Sequence, residues 1–211
     1  MTPEELLTTT RSVRKRLDLS RPVPNELIEK AIDIALQAPS GSNRQDWHWI
    51  VVTDEGQKAK LAELYAKSFQ AYRASGPAPE QRYADDADRA ATQRRVASSS
   101  EYLAEHMAEV PVLLVPAIHV PGGTLPEGNQ AGLWGSILPA VWSYMLAARN
   151  LGLGTAWTSL HLVYEQQAAE VLGIPDHVRQ AALIPTAFYT GETFKPAKRQ
   201  PLSEVVHHDR W

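Results

Sequence analysis

From Gly128 to Ala148 the chain carries no charged residue. A stretch of that length is either a membrane span or a helix enclosed by protein, and the two demand different architectures. Its interior argues against a span. Asn129, Gln130, Gly132, Gly135, Ser136, Pro139 and Ser143 interrupt the apolar residues, and no Lys/Arg cluster flanks them. The expectation is a helix from about Trp134 to Asn150, buried on all sides and surrounded by further layers of structure, with no membrane contact.

Enclosing such a helix takes a real core. The chain has 211 residues, 44% of them hydrophobic, which suits one large domain. No repeat or low-complexity linker divides it, so residues 1–211 are read as a single domain. Twenty-four Asp+Glu against 21 Lys+Arg leave a formal charge of -3, without the basic excess of a nucleic-acid binder. The absence of cysteine excludes disulfides, thiolate metal sites and thiol nucleophiles together. The N-terminus, Met1-Thr2-Pro3-Glu4-Glu5, lacks an apolar signal core, which argues against secretion and for the cytoplasm.

Local patterns order the elements. Thr2, Pro3 and Glu5 form a capping box for a helix expected to run to about Leu17. Asn25 is expected to cap a second helix, in which Leu27, Ile28, Ala31, Ile32 and Ala35 recur at helical spacing. A third helix carries Leu61, Leu64, Tyr65, Phe69 and Tyr72, with Gly76-Pro77-Ala78-Pro79 expected to break it. Residues 82–109, dense in both signs of charge, read as a solvated helix with loops. Trp47–Thr53 and Val112–His119 read as strands, as do a short segment after Gly152 and Leu183–Thr190; Glu165–Leu172 reads as helix and Lys195–Trp211 as a polar tail. Strands separated by helices give an α/β or α+β fold with a sheet of about four strands.

Several motifs fail. Gly152-Leu153-Gly154 begins like a dinucleotide fingerprint, but Trp157 stands at the third glycine position and a helix precedes the pair. The seven histidines form no His-Glu-x-x-His, and the adjacent His207 and His208 point apart, so no metal site is expected. Neither a Gly-x-Ser-x-Gly nor a Walker loop occurs.

Three features remain, and each alone has an ordinary explanation. Arg11-Ser12-Val13-Arg14-Lys15-Arg16 would complement the negative end of a helix, with Arg11 and Arg14 on one face. Ala38-Pro39-Ser40-Gly41-Ser42-Asn43-Arg44-Gln45 could be a plain connection. Lys195-Pro196-Ala197-Lys198-Arg199-Gln200-Pro201-Leu202 could be a solvated tail.

Together, in this order, and with Ala147-Ala148-Arg149-Asn150-Leu151-Gly152-Leu153-Gly154-Thr155 between them, they resemble the flavin-dependent nitroreductase superfamily. The likeness covers residues 5–54 and 131–211. It implies an α+β fold, with a mixed, mainly antiparallel sheet of four to five strands between helices, and a variable cap at about 70–130. It implies a homodimer with two FMN sites at the subunit interface. On this likeness Arg11, Ser12 and Arg14 serve the phosphate and the N1–C2=O edge of the ring, where a planar cation suits oxygen anions. Pro39, Ser40 and Gly41 lie against the ring and ribityl chain, with Asn43 and Gln45 reaching across the interface. Thr155, Trp157, Thr158 and Ser159 border the N5 edge, Trp157 being equally readable as core. Arg199, and less strongly Lys198, clamp the phosphate.

Two departures bear on the substrate: Asp46 stands where many relatives have proline, and Ala156–His161 differs from well-known members. The activity implied is reduction of nitroaromatic or quinone-like acceptors by NADH or NADPH, with no side chain required as acid or base and hence no catalytic residue named. The alternatives are reductive dehalogenation, oxygen-dependent flavin fragmentation, and flavin binding without turnover.

Overall fold

The computed structural model describes residues 1–76, 81, 83 and 85–211. The expected break at Pro77–Pro79 and the start of the charged segment at Arg82 lie outside the described residues.

Helix α1 (Pro3–Thr9) starts as its capping box requires, with the Glu5 amide donating to the Thr2 hydroxyl at 3.1 Å. It stops well short of Leu17. The hydroxyls of Thr8, Thr9 and Thr10 donate back to the carbonyls of Glu4, Glu5 and Leu6, and the run of β-branched residues favours leaving the helix. Arg11 and Arg14 therefore share no helix face. Their segment is extended instead: Ser12 bridges Thr155 in parallel, and the Val13 amide donates to the Thr155 carbonyl at 2.7 Å. Helix α2 (Asn25–Ala35) is preceded by Pro24 at the cap, so Asn25 is its first residue and caps nothing.

Among the described residues the sheet has five strands: β1 (Trp47–Val52), β2 (Val112–His119), β3 (Leu153–Thr155), β4 (Val178–Gln180) and β5 (Ile184–Phe188). Their order is β1-β2-β5-β3, with β4 also on β2, and every pair of named strands is antiparallel. Among the described residues the parallel component that the resemblance allowed is the single Ser12–Thr155 bridge. The three-residue β4 was not expected from sequence; it is too short to show an alternating pattern and forms by pairing with Ala117–His119.

Strand β2 is buried on both faces, which explains its unbroken apolar run. Val112, Leu114 and Ile118 join Ile28, Ala31, Val141 and Tyr144 in one core layer. Leu113 and Val115 join Leu61, Tyr65, Phe69, Leu103 and Met107 in the other. The first layer is covered by α2 and α6 (Leu138–Asn150), the second by α3 (Glu55–Ala74), α4 (Ala87–His106) and α7 (Glu165–Leu172).

The uncharged stretch is not one helix buried all round. It is α5 (Ala131–Trp134) and α6, parted at Gly135–Ile137. A Cβ on Gly135 would lie 2.6 Å from the Ala131 carbonyl, and Pro139 sits in the first turn of the new helix. Ala131–Asn150 as a whole is long and apolar enough to cross a bilayer, but here it is broken at Gly135–Ile137 and one face of α6 packs into the protein core. Its inner face is buried, with the Tyr144 hydroxyl 3.1 Å from Thr186 Oγ1, but Trp142 on the other face is 39% exposed.

Candidate functional site

The residues singled out from sequence fall into two groups in the folded chain. The first gathers along β3. Gly154 lets the N-terminal segment approach closely, since a Cβ there would meet Val13 and Leu17 at 3.1 and 3.2 Å. Arg11, Ser12 and Arg14 are thus laid beside Thr155, although some 140 positions intervene in sequence. Arg11 is exposed and donates to the Lys195 carbonyl at 2.7 Å, which brings the start of the C-terminal tail to the same place. The tail is anchored there by Arg16, whose guanidinium lies 4.1 Å from the Phe194 ring centroid and donates to the carbonyls of Thr190 and Thr193 at 2.6 and 2.9 Å.

Arg14 is half-buried near Tyr65 of α3, and its one side-chain hydrogen bond among the described residues is to Ser99 Oγ at 3.4 Å. Burial pulls its pKa below the ordinary arginine value and Tyr65 opposes that pull, but a guanidinium stays charged. A partly desolvated cation facing only neutral groups is a candidate for binding an anion or an electron-rich edge. Among the described residues, neither Arg11, Arg14 nor Arg199 pairs with a carboxylate. Lys198 does: its ammonium lies 2.8 Å from Asp88 on α4, in an exposed pair. Among the described residues Arg199 donates only to the Lys198 carbonyl, at 3.4 Å.

The segment after β3 is less available than its motif suggests. The Thr158 hydroxyl donates to the Leu183 carbonyl at 2.6 Å, so its proton serves the sheet. Trp157 is half-buried against the α2–α6 core layer. Ser159 is exposed and precedes a 3-10 turn, Leu160–Tyr164. Thr155 is buried.

The second group forms a cleft of about 450 Å³, lined in part by Ser40, Gly41, Gln45, Asp46, Leu133 and Ser136. Its loop is unusual. Ser42, Asn43 and Gln45 have φ values of 52°, 52° and 56°, the left-handed region that non-glycine residues seldom occupy. Strain of this kind persists where surrounding bonds hold it and clusters at functional sites. Here Gln45 N donates to Ser40 Oγ at 3.1 Å, and Gln45 Nε2 donates to Asn43 Oδ1 at 3.2 Å. Asp46 does place an acid at the rim, neutralised by Arg44 at 2.7 Å. Pro39 is exposed beside the cleft. No residue of the first group lines this cleft.

Sequence reasoning missed the residues that organise these groups: Ser136 behind Gly41, and Asp88, Ser98 and Ser99 on α4. None belongs to a motif, and only folding brings them near. Among the described residues no His/Asp/Glu cluster of metal-binding form occurs.

A sheet of antiparallel strands between helical layers, with a strained loop and an early arginine segment laid on β3, defines an α+β protein. The nitroreductase family model matches residues 7–186, and the chain belongs to the nitroreductase family. Iodotyrosine deiodinase 1 of Rattus norvegicus is 26% identical over 205 residues, covering 96% of this chain and 67% of that protein. A provisionally named NADH dehydrogenase/NAD(P)H nitroreductase of Methanothermobacter thermautotrophicus is 25% identical over 215 residues, covering 98% and 86%. Among solved structures, iodotyrosine deiodinase bound to FMN and 3-iodo-L-tyrosine aligns with a TM-score of 0.70 at 18% identity, over 99% of each chain. The FMN and NADPH-dependent nitroreductase NfnB aligns equally well, at 22% identity over 100% of each. At such identities these structures speak to the fold.

Proposed function

We propose that the protein is an FMN-dependent oxidoreductase that takes electrons from NADH or NADPH and reduces nitroaromatic or quinone-like acceptors. One observation carries the reading. Folding sets Arg11 and Arg14 beside β3 and the base of the C-terminal tail, and no carboxylate among the described residues neutralises them. A phosphate and an electron-rich ring edge are the kind of partner such cations lack.

Bound FMN would supply the two-electron chemistry; the chain supplies position and charge. Arg11 and Arg199 would hold the phosphate, with Lys198 secondary because Asp88 already engages it. Ser12 and Arg14 would serve the N1–C2=O edge, where a cation favours the added electrons. Thr155, Thr158 and Ser159 would border the N5 edge, with Trp157 behind them. Pro39, Ser40, Gly41, Asn43 and Gln45 belong to the other group of residues. A homodimer, in which the loop of one protomer faces the cations of the other, would unite the two groups into two sites. A cap at about 70–130 and a cytoplasmic location belong to the same reading.

The test begins with FMN titration of the purified protein, followed by anaerobic NADH or NADPH. Binding and rapid bleaching of the flavin absorbance are expected, then reoxidation by a nitroaromatic or a quinone. Protein that gains no visible absorbance with FMN sinks the proposal. Binding without bleaching leaves a flavin carrier that does not turn over.

A second reading is reductive dehalogenation, favoured by the match to rat iodotyrosine deiodinase over 96% of this chain. Iodide release from 3-iodo-L-tyrosine under reducing conditions separates it from the first.

A further inference from the structure

Helix α4 lies in the segment that carries no recognisable motif, yet it touches each of the cationic stretches assigned above to the cofactor. Ser99 accepts from Arg14 Nη1 at 3.4 Å, Ser98 accepts from Lys15 Nζ at 2.8 Å, and Asp88 accepts from Lys198 Nζ at 2.8 Å. Asp88, Arg95 and Ser99 are spaced seven and four residues apart and so share one stripe of the helix. That stripe spans about 16 Å at 1.5 Å per residue, with the base of the N-terminal segment at one end and the tail at the other.

We propose that α4 is a positioning element for the two cationic stretches that carry the proposed cofactor residues, with Ser99 holding Arg14, Ser98 holding the neighbouring Lys15, and Asp88 holding Lys198. The proposal rests on the flavin reading above. The Ser99 hydroxyl donates to the Val96 carbonyl at 2.9 Å, so its lone pairs are turned toward a donor such as Arg14. Arg14 has no other side-chain hydrogen bond among the described residues, so its guanidinium loses its hydrogen-bonded restraint if that hydroxyl goes. Asp88 acts differently. An exposed pair adds little stability. Its effect is to keep Lys198 on the cap side, leaving the neighbouring Arg199 as the tail's cation for phosphate. Any shift of the cap is then felt at the cofactor, because one rigid helix bears on both ends of the cation set.

The experiment measures FMN affinity by fluorescence quenching and the two-electron potential by dye equilibration. It compares the unaltered protein with Ser99→Ala, Ser99→Thr, Arg14→Ala and the Ser99→Ala/Arg14→Ala pair. Ser99→Ala is expected to weaken binding by about threefold to tenfold, the effect of losing one ordinary hydrogen bond that positions Arg14. It should also move the potential negative, as Arg14→Ala does more strongly. Ser99→Thr, which keeps the hydroxyl, should restore both. In the Arg14→Ala background the Ser99 change should add nothing. Unaltered binding and potential in Ser99→Ala, failure of threonine to rescue, or full additivity in the pair overturns the role of α4 while leaving the flavin reading standing. If the unaltered protein binds no FMN, both fall.

Discussion

The Gly41 amide donates to the Ser136 hydroxyl at 2.9 Å, and that hydroxyl in turn donates to the Gly132 carbonyl at 2.8 Å. One side chain thus ties the strained loop to the turn between α5 and α6. Space is short as well: a Cβ on Gly41 would lie 3.1 Å from Ser136 Oγ. Ser136→Ala should lower stability by about 1 kcal/mol. More tellingly, it should speed hydrogen exchange at the Gly41 amide, which loses its acceptor. Exchange at Gly41 no faster than in the unaltered protein would show that the loop holds its shape without Ser136.

The tail offers a comparison within two adjacent residues. Arg199→Ala should weaken FMN binding by about tenfold to a hundredfold, as expected for a charge-assisted contact to phosphate. Lys198→Ala should cost less, because Lys198 is engaged by Asp88. Equal losses from the two changes, or none from Arg199→Ala, reject the assignment of Arg199.

His161 should make the fold sensitive to acid. The side chain is fully buried, and neither ring nitrogen has a well-formed hydrogen bond. Burial pulls its pKa down to about 4, against opposing pulls from Gln180 and Glu165. The unfolded chain, with an ordinary histidine value of about 6.5, therefore binds the proton more readily. Its contribution to stability is complete above about pH 6.5 and is lost as pH falls toward 4, at up to about 1.4 kcal/mol per pH unit. Urea unfolding at pH 7, 6 and 5 should show this slope, and His161→Gln should flatten it. A slope that survives the substitution must come from other groups.

Assembly is testable directly. Trp142 is exposed on α6, and Leu202, Val205, Val206 and Trp211 of the tail are exposed as well. A homodimer covering these surfaces should scatter as a dimer and dissociate more readily when FMN is removed, since a ligand that binds only the assembled form stabilises it by mass action. A species near 23.4 kDa that still holds FMN tightly would overturn both the dimer and the assignment of Asn43 across the interface.

Much of the molecule was legible before folding, for a physical reason. The capping box at Thr2, the strands at Trp47 and Val112 and the helical spacing of Ile28, Ala31 and Ala35 are patterns between near neighbours. Backbone geometry alone makes them readable. The three motif segments were likewise visible, because their residue types and order are carried in the chain itself. Tertiary structure decided the rest. Whether the segment after Thr9 continues as helix depends on Thr155, which waits on the far side of the sequence to accept the Val13 amide. That the uncharged stretch is two helices with an exposed Trp142 depends on what packs against α6, not on its own composition. Arg14 and Ser99 are 85 residues apart and Gly41 and Ser136 are 95 apart. Contacts at that separation leave no periodicity in the sequence, so only the folded chain reveals which cations stand together and what holds them.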